Sequence, residues 1–283
     1  MSVYPSSDIT VIIPCYNDGN YIEHALQSIL DQTMLPKEII IIDDGSEQLT
    51  LDLLKTITHP ILKIVYQENM GVCHARNRGI ELAETEFILT LDADDYFEPT
   101  FIEKAVKVLA SNDHVAMVCC YYRKFYEDIQ SDEVIKPKGG GLNSFLVSNN
   151  GIASGLFKKE SWESVNGYDN DFKEGYEDWD FNISILVDHK KMYIIEEVLY
   201  HYRIKSNSRD KRAFENYDLQ LRTKLLEKHK ELYRKNSINI IKHFMYTNSM
   251  LRMDVVKSKK SIEYRLGAYL LMPFRLIRKH IFR

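Results

Sequence analysis

The sequence predicts an α/β fold in which helices cover a mostly parallel sheet, followed by a helical C-terminal extension. About the first 120 residues alternate short apolar runs with amphipathic segments, which is typical of parallel sheets. The run at residues 38–42 is almost entirely β-branched, as expected of a strand covered on both faces. From Lys211 onward the pattern is helical, without a strand signal.

Five short apolar runs predict strands in the first half, at residues 9–13, 38–42, 62–66, 87–91 and 115–122. Apolar residues at helical spacing predict helices between them, at residues 21–32, 51–57, 72–83 and 100–109. The segment 129–150 contains three consecutive glycines, at Gly139 to Gly141, and predicts a flexible loop. Beyond it we expect helices at residues 159–164 and 178–189, and strands at residues 192–195 and 198–203.

The composition is that of a globular protein and excludes several other classes. The 283 residues are 45% apolar with few Gly and Pro, so a packed core is expected rather than disorder or a collagen-like chain. The four cysteines form no CxxC pair, which favours buried thiols in a reducing compartment. No signal-peptide pattern occurs at the start, and no apolar run reaches the roughly 18 residues of a membrane span.

Charge is distributed unevenly along the chain. The net charge is -4, but residues 221–283 carry 16 basic and 4 acidic residues, against 21 and 37 in the remainder. Together with the change in periodicity, this predicts an α/β domain over residues 1–210 and a basic helical extension over residues 211–283. A basic tail on an acidic body favours an anionic partner for the tail.

Four predicted strands are followed by polar residues. These are Pro14-Cys15-Tyr16-Asn17-Asp18, Asp43-Asp44-Gly45-Ser46, the helix with Arg76-Asn77-Arg78-Gly79, and Asp92-Ala93-Asp94-Asp95. Because the carboxyl ends of parallel strands meet at one edge of a sheet, the four segments predict a polar binding site there. Taken alone, Asp-Asp-Gly-Ser would also suit an ordinary turn followed by a helix cap.

The Asp92–Asp95 segment predicts a bound cation. Three carboxylates within four residues repel one another, and desolvating them is costly without a cation or several donors. Alternating carboxylates after a strand suit a hard divalent ion such as Mg²⁺ or Mn²⁺, bound partly through substrate phosphates.

These segments and the later Gly175-Tyr176-Glu177-Asp178-Trp179-Asp180 follow one another in the order and spacing of a known family. Over residues 8–208 the chain resembles the family 2 glycosyltransferases, which have the GT-A fold with its Rossmann-like sheet. The resemblance implies transfer of a sugar, with inversion, from a nucleoside diphosphate donor to a hydroxyl. UDP-sugars are the commonest donors in such enzymes. A nucleotide-sugar half is then expected at about residues 1–125, and an acceptor half at about 126–210.

The resemblance also implies where the nucleoside binds. Pro14, Tyr16 and Asn17 are expected near the base and ribose. Asp44 is expected to accept a hydrogen bond from the base N–H, with Asp43 beside it in a structural role.

For the diphosphate and the cation, the resemblance implies a second group of residues. Arg76 is expected near the base or the diphosphate. Asp94 is expected to coordinate Mn²⁺ or Mg²⁺ directly, and Asp92 to bind the ribose or a metal-bound water, with Asp95 as a third candidate. The cation would stabilise the charge of the departing nucleoside diphosphate as a Lewis acid.

By the same resemblance Asp178 is the general base that takes the proton of the acceptor hydroxyl, and Glu177 positions the acceptor or orients the base. Acidic residues in a first helical turn also complement the helix dipole, and the two interpretations are compatible. In the segment 200–208, many family members carry Tyr-Arg-x-His, whereas here Lys205 stands at the histidine position. Lys205 is therefore expected to donate to the diphosphate. His201 is a weaker candidate metal ligand, and a partly buried histidine is the alternative.

The tail at residues 266–283 mixes apolar and basic side chains, which predicts attachment to an anionic lipid surface at the cytoplasmic face. Packing on the α/β domain, or on a second subunit in a homodimer, is the alternative. Nucleic acid is not an expected partner. A glycosyltransferase acting on a lipid-linked glycan is the leading hypothesis for cell-surface polysaccharide synthesis. A sugar-nucleotide pyrophosphorylase and an inactive membrane-associated assembly subunit are the alternatives.

Overall fold

The computed structural model describes residues 8–126, 129–205 and 208–272. The chain divides into two compact units, Met1–Lys230 and Glu231–Arg283. The first is built around one ten-stranded sheet flanked by helices. We call it the catalytic unit because it contains the residues for which the resemblance implies catalysis, Glu177 and Asp178. The predicted α/β class is therefore confirmed.

The strands of the catalytic unit are β1 (Ile9–Cys15), β2 (Glu38–Asp44), β3 (Leu62–Gln67), β4 (Phe87–Thr90), β5 (Tyr96–Phe97), β6 (Val115–Tyr126), β7 (Ile129–Ile135), β8 (Gly140–Gly141), β9 (Leu156–Lys158) and β10 (Lys191–Arg203). Its helices are α1 (Gly19–Leu30), α2 (Gln48–Thr56), α3 (Val72–Leu82), α4 (Phe101–Ala110), α5 (Leu142–Phe145), α6 (Lys159–Glu163), α7 (Glu177–Ile185), α8 (Arg209–Arg212) and α9 (Asp218–Lys228), with a π-helical turn at Ala213–Tyr217 before α9. Helix α10 (Lys230–Lys235) begins at the boundary of the units, and the second unit contains α11 (Ser237–Lys260) and α12 (Ile262–Leu270).

The sheet has the strand order β3-β2-β1-β4-β9-β6-β10-β5, with β7 paired to β6 and β8 to β10. The first four strands are parallel, as are β6 and β10. Strand β9 lies antiparallel between β4 and β6. The second half of the sheet therefore contains more antiparallel pairs than predicted. Strand β9 was not predicted, because its three residues are too few to show a periodic pattern.

Strands β1 and β2 form the centre of the core. Every residue of β1 and nearly every residue of β2 is buried, as their β-branched composition predicts. Helix α3 crosses this part of the sheet closely at Gly79. A Cβ there would lie 2.5 Å from Cγ2 of Ile12 and 3.3 Å from Cγ1 of Ile42, so the helix needs glycine at its packing surface.

Two predictions for the second half of the chain need correction. The segment 129–150 is more than a flexible loop, because β7 forms an antiparallel pair with β6, and β8 and α5 follow it. Its glycines make the turn into β8, with φ of 58° at Gly139 and 97° at Gly140. The two strands predicted at 192–195 and 198–203 are one strand, β10, and the gap between them is a register shift between Ile195 and Val198.

The structural boundary also lies further along the chain than the predicted division at residue 210. Leu221 and Leu225 of α9 are buried. The buried carboxylate of Asp180, on α7, accepts hydrogen bonds from Lys228 Nζ at 2.7 Å and His229 Nε2 at 2.8 Å. The catalytic unit therefore continues to Lys230.

As far as residue 272, where the described residues end, the second unit is helical, as predicted. Neither α11 nor α12 contains a buried residue. Over the three described ranges of the chain, no helix combines the length and apolar character needed to cross a bilayer. The predicted lipid-binding segment, residues 266–283, lies largely outside the described residues because these end at 272.

Candidate active site

The loops that follow β1 and β2 are joined by Asn17. This residue has a left-handed backbone, with φ of 58°. Its N–H donates to Ser46 Oγ at 2.9 Å, and its Oδ1 accepts from the Glu47 N–H at 2.7 Å. Pro14 is buried within β1, whereas the Tyr16 ring is 52% exposed at the strand end. The residues predicted to bind the nucleoside thus lie at one edge of the sheet, where the hydrogen bonds of Asn17 connect the loops after β1 and β2.

Asp44, at the end of β2, is occupied by protein donors. Its carboxylate accepts from the Met70 N–H at 2.9 Å, the Gly71 N–H at 2.8 Å and Gln67 Nε2 at 2.6 Å. It therefore holds the loop between β3 and α3 against β2. Three of the roughly four acceptor positions of the carboxylate are thus occupied, and the predicted role of Asp44 as the acceptor for a base N–H stays a prediction.

Asp43, unlike Asp44, has a carboxylate oxygen that accepts no hydrogen bond from the described residues. Its Oδ1 is buried and has no hydrogen-bond partner among the described residues, and its Oδ2 lies 3.4 Å from the Ser46 N–H. Asp43 lines a cavity of about 340 Å³ together with Ser46, Tyr66 and Gln67. A buried acceptor without a donor is costly, so this oxygen is suited to a ligand N–H. The geometry thus makes Asp43, as well as Asp44, a candidate acceptor for a base N–H.

A single buried arginine connects the carboxylate motif with helix α7. Arg76, on α3, is fully buried, and its Nη2 lies 2.6 Å from Asp92 Oδ1 while its Nη1 lies 3.0 Å from Glu177 Oε1. Burial raises the pKa of Asp92, but Arg76 outweighs this effect and holds the pKa below its ordinary value. The Asp92–Asp95 segment and the start of α7 therefore line one site.

Glu177 is held by two guanidinium groups. Besides Arg76, Arg209 of α8 donates to the same oxygen, Oε1, through its Nη2. Burial would raise the pKa of Glu177, but Arg209 and Arg76 together hold it below its ordinary value. Glu177 is therefore an anion fixed inside the protein, which supports the predicted role of orienting the base more than a direct contact with the acceptor.

Asp178 lies beside Glu177 in the first turn of α7, after a left-handed residue, Tyr176, with φ of 64°. Its Oδ2 accepts from Asn149 Nδ2 at 2.7 Å. Burial raises the pKa of Asp178 to about 7, and the charges of Glu177 and Asp210 add to this effect. A carboxylate whose pKa lies close to neutral is suited to accept and release a proton.

Lys205 follows β10 and lies between two acidic side chains. Its Nζ is 2.5 Å from Asp18 Oδ1 and 2.8 Å from Asp94 Oδ2. Burial raises the pKa of Asp94 to about 6; Lys205 opposes this rise, whereas Asp18 and Asp92 increase it. The ammonium group of Lys205 therefore does not fully offset the effects of burial and of the neighbouring carboxylates on the pKa of Asp94.

Among the described residues, the possible metal ligands around Asp94 are fewer than a divalent cation needs from protein and substrate together. Within the described ranges, no group of three or more histidine, cysteine or acidic side chains is arranged to hold a metal ion. Asp92 and Asp94 remain as two carboxylates, and Mg²⁺ is commonly bound by one or two carboxylates together with substrate phosphates. Asp95 is directed elsewhere, because it is buried and accepts hydrogen bonds from the Tyr200 hydroxyl and, at 2.7 Å, from the Arg203 N–H.

His201 does not join this donor set. Its Nε2 lies 2.8 Å from Glu98 Oε1, and its ring stacks on Tyr96 at a centroid distance of 4.3 Å. On β10 it alternates with Tyr200, whose hydroxyl contacts Asp95, so the two side chains leave opposite faces of the sheet. The structure favours the alternative of a buried structural histidine.

Comparison with known proteins identifies the family. The profile of Glycosyl transferase family 2 matches residues 10–196. The chain belongs to this family. Among curated relatives, the glycosyltransferase GlyA of Streptococcus pneumoniae is 27% identical over 221 residues, covering 71% of this chain and 31% of the relative. Chondroitin synthase of Pasteurella multocida is 33% identical over 112 residues, covering 39% and 12%. The chain thus spans at most about a third of the length of these relatives.

A solved structure confirms the GT-A expectation at the level of the fold. TarS of Staphylococcus aureus, residues 1–349 in complex with UDP-GlcNAc, superposes with a TM-score of 0.56. The match covers 74% of this chain and 61% of the TarS chain, at 19% sequence identity.

Three residues that contact the candidate site were missed in the sequence. Asp18 pairs with Lys205, Asn149 donates to Asp178, and Arg209 donates to Glu177. Asp18 could have been found, since it ends the polar run after β1. Asn149 lies in a segment without periodicity, and Arg209 lies beyond the family match, so neither carried a local signal.

Proposed function

We propose that this family 2 member is a metal-dependent, inverting glycosyltransferase that transfers a sugar from a UDP-sugar to a glycan hydroxyl. One observation carries the proposal. Arg76 pairs with both Asp92 and Glu177, so the donor-side carboxylates and the acidic start of α7 lie within the span of one guanidinium group. Inversion needs a leaving-group site and a base on opposite sides of the sugar, and this cleft offers candidates for both.

Asp178 is the proposed general base. With a pKa of about 7, a substantial fraction is ionised at neutral pH and can accept the proton of the attacking hydroxyl. Asn149 orients the carboxylate through its hydrogen bond to Oδ2. Glu177, fixed by Arg76 and Arg209, keeps a negative charge beside Asp178 and so raises its basicity.

Asp94, with Asp92, is proposed to hold Mn²⁺ or Mg²⁺. When bound, the cation would act as a Lewis acid on the nucleoside diphosphate leaving group. Lys205 is proposed to exchange part of its contact with Asp18 and Asp94 for the diphosphate oxygens, since its ammonium is already placed at this edge.

The donor nucleoside is proposed to enter the cavity at the end of β2, where Asp43 offers its buried oxygen to the base N–H. TarS, which shares the fold, was solved with UDP and with UDP-GlcNAc, so uridine nucleotides are the first donors to test. Chondroitin synthase is among the relatives, which supports a polysaccharide as the acceptor.

The acceptor is proposed to be lipid-linked, and the protein to attach to the cytoplasmic face of the membrane through residues 266–283. This proposal depends on the mixture of basic and apolar residues in that segment. Deletion of residues 266–283 should reduce co-sedimentation with anionic vesicles, and unchanged partitioning would contradict the attachment.

The deciding experiment measures donor binding and turnover on the same variants. UDP binding is followed by calorimetry with and without Mn²⁺, for the wild type, Asp94→Asn and Asp178→Asn. We expect Asp94→Asn to lose the Mn²⁺-dependent part of binding. Asp178→Asn should bind UDP normally but lose roughly a hundredfold to ten-thousandfold in turnover with a panel of UDP-sugars and glycan acceptors.

Asp113→Asn serves as the matched surface control, because its side chain is 95% exposed. If neither UDP nor another nucleoside diphosphate bound in a Mn²⁺-dependent way, the glycosyltransferase hypothesis would be rejected, and the alternative of an inactive assembly subunit would be favoured. Cleavage of UDP-sugars by pyrophosphate, without glycosyl transfer, would favour the pyrophosphorylase. Wild-type turnover in Asp178→Asn would reject the base assignment alone.

A further inference from the structure

Helix α11 carries a heptad pattern on an exposed surface. Its 24 residues include none that is buried. Intervals of three and four separate the residues of one stripe, Ile241, Phe244, Asn248, Leu251 and Val255. The four apolar members are between 52% and 61% exposed. We call these five residues the α11 seam. A seam of this spacing is typical of a helix that packs against another helix.

We propose that the α11 seam pairs in parallel with the same seam of a second copy of this chain, forming a short two-stranded coiled coil. The inference does not depend on the proposed glycosyl transfer, because no seam residue belongs to the candidate active site.

The a-position residues and Leu251 favour two parallel strands. The a positions are Ile241, Asn248 and Val255. Phe244 and Leu251 occupy the d positions, and the seam ends before the next d residue, Ser258. β-Branched residues at a with leucine at d favour dimers over trimers and tetramers. A single asparagine at a central a position sets the register of such dimers, because the two asparagines can bond each other in an otherwise apolar interface.

The flanking charges are complementary in the same register. In a parallel pair, each g position faces the e position five residues later on the second helix. Asp254 at g then faces Lys259 of the second copy. Within one chain, Asp254 lies 4.0 Å from Lys257, and both side chains are well exposed, so this pair contributes little and does not compete strongly.

A second helix explains the seam better than a lipid surface does. Lipid tails would leave the Asn248 amide without a hydrogen-bond partner at the middle of the seam. An anionic surface would attract the basic side chains of α11 but repel Asp254 beside the seam, whereas a second copy of α11 offers a partner to both Asn248 and Asp254.

The test uses the full-length protein in sedimentation velocity over a dilution series. We expect the wild type to show a reversible monomer–dimer equilibrium, and Leu251→Glu to be monomeric. Met253→Glu is the matched control, because Met253 lies on the same helix at an f position, facing away from the seam, and should leave the equilibrium unchanged. Circular dichroism of both variants checks that the helix itself is retained.

Two further variants test the parallel register. Asn248→Cys should form a disulfide-linked dimer under mild oxidation, whereas Met253→Cys should not. The four native cysteines are buried, so the engineered thiol is the one available for cross-linking. Asp254→Lys should weaken the dimer roughly fivefold, because each dimer contains two such pairs, and adding Lys259→Asp should restore it.

A wild-type protein that is monomeric at every concentration would overturn the proposal, as would a dimer that Leu251→Glu leaves intact. A monomer that binds phosphatidylserine vesicles and loses that binding in Leu251→Glu would assign the seam to lipid instead. A dimer without cross-linking at Asn248→Cys, and without rescue by Lys259→Asp, would overturn the parallel register.

Discussion

The two units of the chain place their apolar side chains in opposite ways. In the catalytic unit all seven residues of β1 are buried, whereas none of the residues of α11 is. The second unit, Glu231–Arg283, also carries 12 basic and 3 acidic residues, in contrast to the acidic remainder of the chain. The catalytic unit therefore has a core of its own, while helices α11 and α12 of the second unit leave apolar side chains exposed, which is the surface on which the proposed pairing is based.

A second difference concerns charge. In the catalytic unit the ion pairs of the site are buried, as between Arg76 and Glu177, or partly buried, as between Arg76 and Asp92. In the second unit the ion pair between Asp254 and Lys257 is exposed. Buried pairs are costly to break and exposed pairs are not, so substitutions should have large effects in one unit and small effects in the other.

The largest expected effect comes from shortening the chain at different points. Removal of residues 231–283 should leave a folded catalytic unit that still binds UDP. Truncation after Asp210 should prevent folding, because it removes buried Leu221 and Leu225 and leaves the carboxylate of Asp180 without His229. Far-UV circular dichroism and thermal unfolding compare the two proteins. Cooperative unfolding of the shorter chain would mean that α9 is not part of the catalytic unit.

A smaller but still large effect is expected at Arg76. Arg76→Met should destabilise the catalytic unit by about 3–5 kcal/mol, because buried Glu177 and partly buried Asp92 lose a shared counter-charge. Arg78→Met is the matched control on the same helix, since Arg78 is exposed, and should change stability by less than about 1 kcal/mol. Urea unfolding measures both. Equal effects would show that the Arg76 pairs contribute no more than surface charge.

The sequence predicted the elements with strong periodicity and missed those whose signal is short. Strands β1 and β2 could be read from their β-branched runs, and the helices α1 and α3 from their spacing. Strand β9 has three residues, which is too few for a pattern. Helix α9 buries two of its four leucines and exposes the other two among charged and polar residues, so its attachment to the catalytic unit was not apparent from the sequence.

In the candidate site, the sequence indicated which residue types were present but not which residues contact one another. The acidic segments after β2 and β4 and at α7 were apparent from local motifs. Their contacts depend on residues far away in the chain, as in Arg76 and Glu177, which are 101 positions apart. The roles of Asp43 and Asp44 could not be separated in sequence, because adjacent strand residues point to opposite faces and only the three-dimensional surroundings decide which one is occupied.

The smallest effect is expected in the pH dependence of stability at Asp178. Burial raises its pKa from 3.8 to about 7, so between these values the folded state binds a proton that the unfolded state has lost. This contribution to stability is fully present below the unfolded pKa and is lost as the pH rises through about 7. Asp178→Asn removes the titration, so the variant should gain stability relative to the wild type as pH rises. The full rise in pKa, from 3.8 to about 7, sets an upper limit of about 4 kcal/mol, and solvent screening at the half-buried Asp178 lowers the gain below that limit.

Thermal unfolding of the wild type and Asp178→Asn across this pH range measures the difference, with Asp113→Asn as the exposed control. The gain should develop between about pH 4 and pH 7 and remain constant above that range. In the same range the turnover of the wild type should rise with pH, since the ionised carboxylate is the proposed base. A constant difference across the whole range would mean that Asp178 keeps an ordinary pKa, and the argument for a base poised near neutral pH would fail.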